Sequence, residues 1–247
     1  MTKSAELETA VKAAKEAGKI LLGNLAKHKI VEKKDRQDIC TNVDLKSEKK
    51  IIEIIENRFP LHGIVSEEAG LIKKSGKFCW FVDPLDGTKN YVRNIPIFSI
   101  SVALANEKEL IAGVVFDPST KRLYSAEKGK GAFFNGKKIS VSKISELEDS
   151  FVYLDAPHKK FDYLRKHFYR TRDFGVGSLA LCYLAQGGFD AYIQDTLRIT
   201  DHGAGLLIAK EAGAKITDSK GKDFSLENKD AVVANPTLHK KILPLVK

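Results

Sequence analysis

Residues 80–91 read WFVDPLDGTKNY: an apolar run ends on Asp83, turns at Pro84, reaches a second aspartate at Asp86 and continues into Gly87-Thr88. Two carboxylates this close raise each other's pKa and oppose ionisation, so placing them at a strand end gains the fold little. A cation between them removes that penalty. Proline cannot donate to a ladder, so the strand is predicted to stop at Asp83 and the chain to turn there. Asp83 and Asp86 then face a common point, with the Leu85 carbonyl between them as a third hard oxygen. Carboxylate, carbonyl and water are the ligands that Mg²⁺ takes, with a phosphate completing the shell. If Thr88 opens a short helix, its first amides form an anion site beside the metal. Asp, Pro and Gly are also ordinary turn formers, so the stretch by itself carries both readings.

On the N-terminal side, apolar positions recur at helical spacing over residues 4 to 25 and again over 44 to 59, the second run closed by Pro60. Between them IVEKKDRQDICTN is charged and aperiodic and reads as a loop. From HGIVS onward the pattern becomes β-rich: KFCWFV, FSISVALAN, LIAGVVFD, RLYSAEKG and GAFFNG, with Asn135-Gly136 as a tight-turn signal. Past residue 145 the periods mix. A helix is predicted over residues 158 to 168, another in SLALCYLAQGG, a strand in FDAYI, a helix after Asp201 and a strand in DAVVAN. Asn235-Pro236 then reads as an N-cap with proline at the first helical position. The expected organisation is two α/β halves, residues 1–145 and 146–247, divided near the polar SKISELEDS.

The 247 residues, 43% hydrophobic and 30% charged, suit a folded globular chain and exclude a disordered tail. No apolar run reaches the roughly 20 residues of a bilayer span, and MTKSAELETA lacks a signal-peptide core, so a cytoplasmic protein is expected. Cys40, Cys79 and Cys182 lie far apart with no zinc-like spacing and are expected to be reduced. The net charge of +9 comes from basic residues scattered in short groups without a stacking-aromatic signature. That pattern reads as a solvated basic surface rather than a nucleic-acid face, and it attracts phosphorylated small molecules.

Other acids recur at element ends, where sheet-based sites collect. Glu67-Glu68 follow the strand HGIVS, and Asp201 opens a predicted helix in ITDHGAG. Taken singly, Asp201 also reads as a helix N-cap and the glutamates as solvated loop charge. Together with the quoted stretch, these segments resemble the inositol monophosphatase family of Mg²⁺-dependent, lithium-sensitive phosphatases, whose fold is shared with fructose-1,6-bisphosphatases. DPLDGTKN fits the family signature without a gap, SEEAG fits the upstream Glu-Glu, and TDHGAGLLIAKEAGA fits the downstream metal segment. The resemblance spans nearly the whole chain.

It implies an α/β (α+β) fold, a layered αβαβα sandwich, and a homodimer. It also implies that Glu67, Asp83 and the Leu85 carbonyl bind one Mg²⁺, that Asp83, Asp86 and Asp201 bind a second, and that a weaker third sits near Glu67. Thr88 with Asp44 would orient and deprotonate the attacking water, although Asp44, six residues after Asp38, also reads as an N-cap before LKSE. The Gly87 and Thr88 amides would hold phosphate oxygens where charge builds up. Gly177 and Ser178, in DFGVGSLAL, are expected near the substrate.

The chain departs from many relatives in three places. Thr200 precedes the metal aspartate where many carry tryptophan, which is closer to the archaeal enzymes acting on both inositol monophosphate and fructose 1,6-bisphosphate. Gln194, with Asp195 beside it, stands where a hydroxyl-binding glutamate is common, and Phe174 stands where an arginine is common. Arg172 and Arg198 are candidates to receive a second phosphate, for which arginine offers a bidentate fork. The expected substrate is a small phosphorylated polyol or sugar, with Mg²⁺ as cofactor. The rival readings are a phosphatase acting on adenosine 3′,5′-bisphosphate or NADP, and a catalytically idle relative that binds RNA or a protein.

Overall fold

The computed structural model describes residues 3–33, 39–73, 76–155 and 160–246. The first helix, α1 (Ala5–Gly23), is capped by Ser4, whose side chain accepts the Leu7 N–H at 3.1 Å. Its stripe of Leu7, Ala10, Ala14, Ala17 and Leu21 is buried. The segment read as a loop instead forms two short strands, β1 (Ile30–Lys33) and β2 (Ile39–Thr41), paired antiparallel. A two-stranded hairpin is held mainly by its backbone ladder, so its charged sequence gave no alternating apolar signal. Asp38 lies outside the described residues. Helix α2 (Asn42–Arg58) starts at Asn42, two residues before Asp44, because Thr41 is its N-cap.

The larger sheet contains β3 (Gly63–Ser66), β4 (Gly70–Lys73) and β5 (Phe78–Asp86). After the single-turn helix α3 (Thr88–Val92) it continues with β6 (Ser99–Asn106), β7 (Glu109–Asp117), β8 (Arg122–Glu127), β9 (Gly131–Phe134) and β10 (Lys137–Ile139). Its order is β10-β9-β8-β7-β6-β5-β3-β4, antiparallel except where β3 runs parallel to β5. Both faces are covered, which is why FSISVALAN reads as a nearly continuous apolar run. Ile100, Val102 and Leu104 face the core shared with α1 and α2, while Ala103 and Ala105 face the opposite core.

The smaller sheet starts at β11 (Phe151–Asp155). The predicted helix over 158 to 168 shrinks to a 3₁₀ turn, Asp162–His167, with residues 158 and 159 outside the described set. Then follow β12 (Arg170–Arg172), α4 (Gly177–Ala185), β13 (Ala191–Gln194), α5 (Ile199–Glu211), β14 (Lys215–Thr217), β15 (Ala231–Ala234) and α6 (Pro236–Val246). Asn235 caps α6 as expected, its side-chain oxygen accepting the Thr237 and Leu238 N–H groups. The strand order is β12-β11-β13-β15-β14, with the first three mutually parallel.

Helices α4 and α5 lie between the sheets. Leu179, Leu181, Leu206 and Leu207 pack there with Val115 and Tyr124 from one sheet and Tyr153 and Tyr192 from the other. Val152, Leu154 and Ile193, on the other face of the smaller sheet, pack on Leu238 and Ile242 of α6. The layers are therefore α1/α2, sheet, α4/α5, sheet and α6, the αβαβα sandwich expected. No helix among the described residues is long and apolar enough to cross a membrane, and the three cysteines are reduced.

Candidate active site and metal centre

The stretch that opened the sequence reading is a bulge rather than a strand end. Strand β5 runs through Pro84 to Asp86, and its pairing with β6 passes from Asp83↔Ser101 to Asp86↔Ser99, which inserts one extra residue on the β5 side. Proline is tolerated there because β3 pairs with β5 only as far as Val82. The consequence is geometric. Side chains three apart on a regular strand face opposite ways, and the extra residue returns Asp86 to the face of Asp83. On that face their partners Ser101 and Ser99 meet α5 and α4: Ser101 Oγ donates to the Thr200 carbonyl at 3.3 Å, and Ser99 Oγ lies 2.7 Å from Ser178 Oγ. From the opposite side Ser47 of α2 donates to the Pro84 carbonyl at 2.8 Å and holds the bulge.

Four acids meet at this corner from three places in the fold. Glu67 follows β3, Asp83 and Asp86 come from the bulge, and Asp201 lies in the first turn of α5. Oxygen atoms of Glu67, Asp83 and Asp201 lie within 4.8 Å of one another. Asp201 is not an N-cap, since Arg198 holds that position; its Oδ1 accepts the Thr200 hydroxyl at 2.6 Å. Asp86 Oδ2 accepts the Ser178 N–H at 2.9 Å, and Asp83 Oδ1 accepts the Leu85 N–H at 2.9 Å.

This crowding carries a protonation penalty. Burial, then the Asp201 charge, pushes Glu67 up to about 8. Burial and the same neighbour push Asp86 up to about 6, and burial with Glu67 beside it drives Asp83 well above the carboxylate range. With Glu67 and Asp83 oxygens this close, a proton kept on one of them relieves their repulsion. An all-oxygen set of mutually repelling carboxylates with the Leu85 carbonyl at hand fits a hard divalent cation.

Beside these acids, Thr88 Oγ1 donates toward Asp44 Oδ1 at 3.2 Å and the Leu85 carbonyl at 3.0 Å. Asp44 is not the N-cap of α2 but the third residue of its capping box. Its Oδ2 accepts the Thr41 N–H at 3.0 Å and the Thr41 hydroxyl, while Thr41 Oγ1 accepts the Val43 and Asp44 N–H groups. Burial pushes Asp44 up to about 6. Gly87 sits at φ 95°, and a Cβ there would come 2.7 Å from Val176 Cγ2. Only glycine lets the chain leave the bulge and enter α3 at Thr88.

A cavity of about 880 Å³ extends from these groups across to the smaller sheet. Gly87, Thr88, Gly177, Gln194 and Arg198 line it. Ser178 stands behind the wall, fully buried, holding Asp86 through its N–H. Arg172 is not among the lining residues; its guanidinium lies over the Phe151 ring at 5.2 Å. Arg198 Nη1 reaches Glu67 Oε1 at 3.4 Å. Sequence reasoning missed Asp155, Arg165, Asp173 and His202, all on the cavity wall. His202 directly follows Asp201, and this adjacency was its only signal. Asp155 ends a strand that carried no periodic signal, and Arg165 and Asp173 lie in or after short elements of the same kind.

The profile of the inositol monophosphatase family matches residues 3–247. A fructose-1,6-bisphosphatase/inositol-1-monophosphatase of Aquifex aeolicus is 36% identical over 98% of this chain and 95% of its own. A Vibrio cholerae protein named Nus factor SuhB is 34% identical over 96% of this chain and 94% of its own. Among solved structures, a Thermotoga maritima IMPase superposes with a TM-score of 0.91 at 32% identity, covering 98% of this chain and 97% of that one. With a match of this extent, and with DPLDGTKN folded into an acidic corner, the chain belongs to the inositol monophosphatase family.

Proposed function

We propose that this phosphatase hydrolyses phosphomonoesters of small polyols and sugars, inositol monophosphate and fructose 1,6-bisphosphate foremost, with two or three Mg²⁺ ions at its acidic corner. The observation that supports it most is the meeting of Glu67, Asp83 and Asp201 oxygens within 4.8 Å, beside Asp86 and the Leu85 carbonyl. In this reading Glu67, Asp83 and the Leu85 carbonyl hold one ion, and Asp83, Asp86 and Asp201 hold another. Bound there, the ions supply a water of lowered pKa and neutralise charge on the ester.

The protein's own groups do the rest. With the Leu85 carbonyl engaged by an ion in this reading, the Thr88 hydroxyl would give its proton to Asp44 Oδ1, 3.2 Å away, as it takes one from the attacking water. Asp44 is fit to receive it because Thr41 fixes its other oxygen. The Gly87 and Thr88 amides hold the phosphate oxygens where negative charge grows. The Ser178 N–H keeps Asp86 aimed, and the Thr200 hydroxyl does the same for Asp201.

A phosphate-release panel tests the reading, with inositol 1-phosphate, fructose 1,6-bisphosphate, adenosine 3′,5′-bisphosphate and NADP, each with Mg²⁺ and then with chelator. The expected result is chelator-sensitive turnover of the first two. Turnover of a nucleotide alone would overturn the substrate choice. The relatives named Nus factor SuhB favour a second reading, in which the surface of this +9 chain engages a macromolecule. Salt-sensitive RNA binding by a protein that releases no phosphate would support it.

A further inference from the structure

The buried face of α2 changes character along its length. Ile51, Ile54 and Ile55 sink into the apolar core, whereas Asp44, Ser47 and Glu48, nearer the N-terminus, are polar and just as buried. Spacings of three and four residues place these polar groups side by side on one face of the helix. Asp44 meets Thr88, and Ser47 holds the Pro84 carbonyl of the bulge. Glu48 is 5% exposed and is not among the residues lining the cavity; its Oε1 accepts the Ala69 N–H at 3.1 Å. A carboxylate withdrawn from water is costly unless hydrogen-bonded, so what Glu48 holds gives it its place among the isoleucines.

Ala69 lies in the turn that carries Glu67. Strand β3 ends at Ser66, which pairs with Gly70 at the start of β4, so Glu67, Glu68 and Ala69 form the connection. The Glu67 N–H donates to the Val82 carbonyl at 3.0 Å, which ties the near end of the turn to β5. The far end receives less from the sheet, because β4 is four residues long and lies at its edge, paired with β3. A ladder that short is a weak fixture. The turn also carries like charges, since Glu68 repels Glu67. Glu48 gives the far end a fixed point, and it stands on the helix that already holds the bulge and Thr88.

We propose that Glu48 is a positioning residue for the acidic corner: by pinning the Ala69 N–H it fixes the turn so that the Glu67 carboxylate meets Asp83 and Asp201, and so sets the corner's affinity for a divalent cation. This inference rests on the proposed metal site and deepens it. Glu48 acts through Glu67 and touches no substrate. Its role lies in the reach of the side chain, not in its charge, because what it supplies is an acceptor for one backbone N–H. Oxygens of Glu67, Asp83 and Asp201 gather within 4.8 Å, and a ligand set works only when held to within about 0.5 Å. Residues that hold ligands from behind change metal affinity by about 10–100-fold when they are lost.

Two substitutions separate reach from charge. Glu48→Gln loses the charge and keeps an oxygen at the same reach, whereas Glu48→Asp keeps the charge and falls a methylene short of the Ala69 N–H. Calorimetry reads Mg²⁺ affinity, hydrogen exchange reads the Ala69 amide, and thermal melts establish folding. Glu48→Asp should bind Mg²⁺ about tenfold more weakly than the native protein, with faster exchange at Ala69, while Glu48→Gln should stay within about threefold. Loss of amide protection and of Mg²⁺ affinity together, in either variant, supports the proposal. Native Mg²⁺ affinity in a folded Glu48→Asp would reduce Glu48 to a structural brace and overturn it. So would a tenfold loss in Glu48→Gln with the Ala69 amide still protected, and Glu48→Gln decides the matter if Glu48→Asp fails to fold. Either result leaves the metal corner standing, because the native protein still binds the ion. No Mg²⁺ binding by the native protein would remove both.

Discussion

Thr88 shows how much chemistry one side chain can carry here. Its hydroxyl bridges Asp44, from α2, and the Leu85 carbonyl, from the bulge, so it joins the proposed proton acceptor to the proposed metal corner. Thr88→Val keeps the shape and removes the hydroxyl. On the proposed role, kcat for inositol 1-phosphate should fall by about 10²–10⁴ while Mg²⁺ affinity, read by calorimetry, changes little. A fall in Mg²⁺ affinity as large as the fall in kcat would mean that Thr88 serves the metal site and not the water. DPLDGTKN was readable at this scale because its carboxylates, bulge and helix start are contiguous. Asp155, Asp173 and His202 were not, because sheet pairing and helix docking bring them to the cavity from positions up to 47 residues apart in the chain.

At the scale of the element, the bulge in β5 and the cap of α2 are the devices that aim the acids. The sequence signalled proline and a turn, but not that β6 would continue to pair beyond Pro84, since pairing depends on a partner strand. The same dependence hid β4, β10, β12 and β14, strands of three or four residues too short for any alternation to register. The long periodic segments, α1, α2, β6 and β7, were legible because each carries its own apolar stripe or run. Thr41→Val removes the cap of α2 and should cost about 1 kcal/mol, a fall of about 2–4 °C in melting temperature for a chain of this size. It should also lower kcat, because Asp44 loses the hydroxyl that fixes it. Gly87→Ala meets both the positive φ and Val176, and should destabilise by about 1–3 kcal/mol in denaturant titration. An unaltered midpoint would show that the chain can leave the bulge another way.

For the whole molecule, the acidic corner ties stability to pH and to metal. In the metal-free protein Glu67 is held at about 8 against an ordinary 4.5, and Asp86 at about 6 against 3.8. Between those values the folded chain keeps protons that the unfolded chain releases. The stability these groups contribute is therefore full below about pH 4 and lost as pH rises through 6 and 8. Mg²⁺ bound as proposed would take the deprotonated carboxylates, so its stabilising effect should grow over the same window. Melting curves with saturating Mg²⁺ and with chelator should differ little at pH 5 and by about 5–10 °C at pH 8. A gap that shrinks as pH rises would contradict the assignment.

The most direct measurement is phosphate release from inositol 1-phosphate across a Mg²⁺ series in the native protein and in Asp86→Asn, which retains an oxygen to accept the Ser178 N–H. The native rate should climb with Mg²⁺, saturate and vanish with chelator, while Asp86→Asn should stay at least about 100-fold lower throughout. Release that persists in chelator, or Asp86→Asn turning over at the native rate, would contradict the claim that these acids hold the ions that drive the reaction.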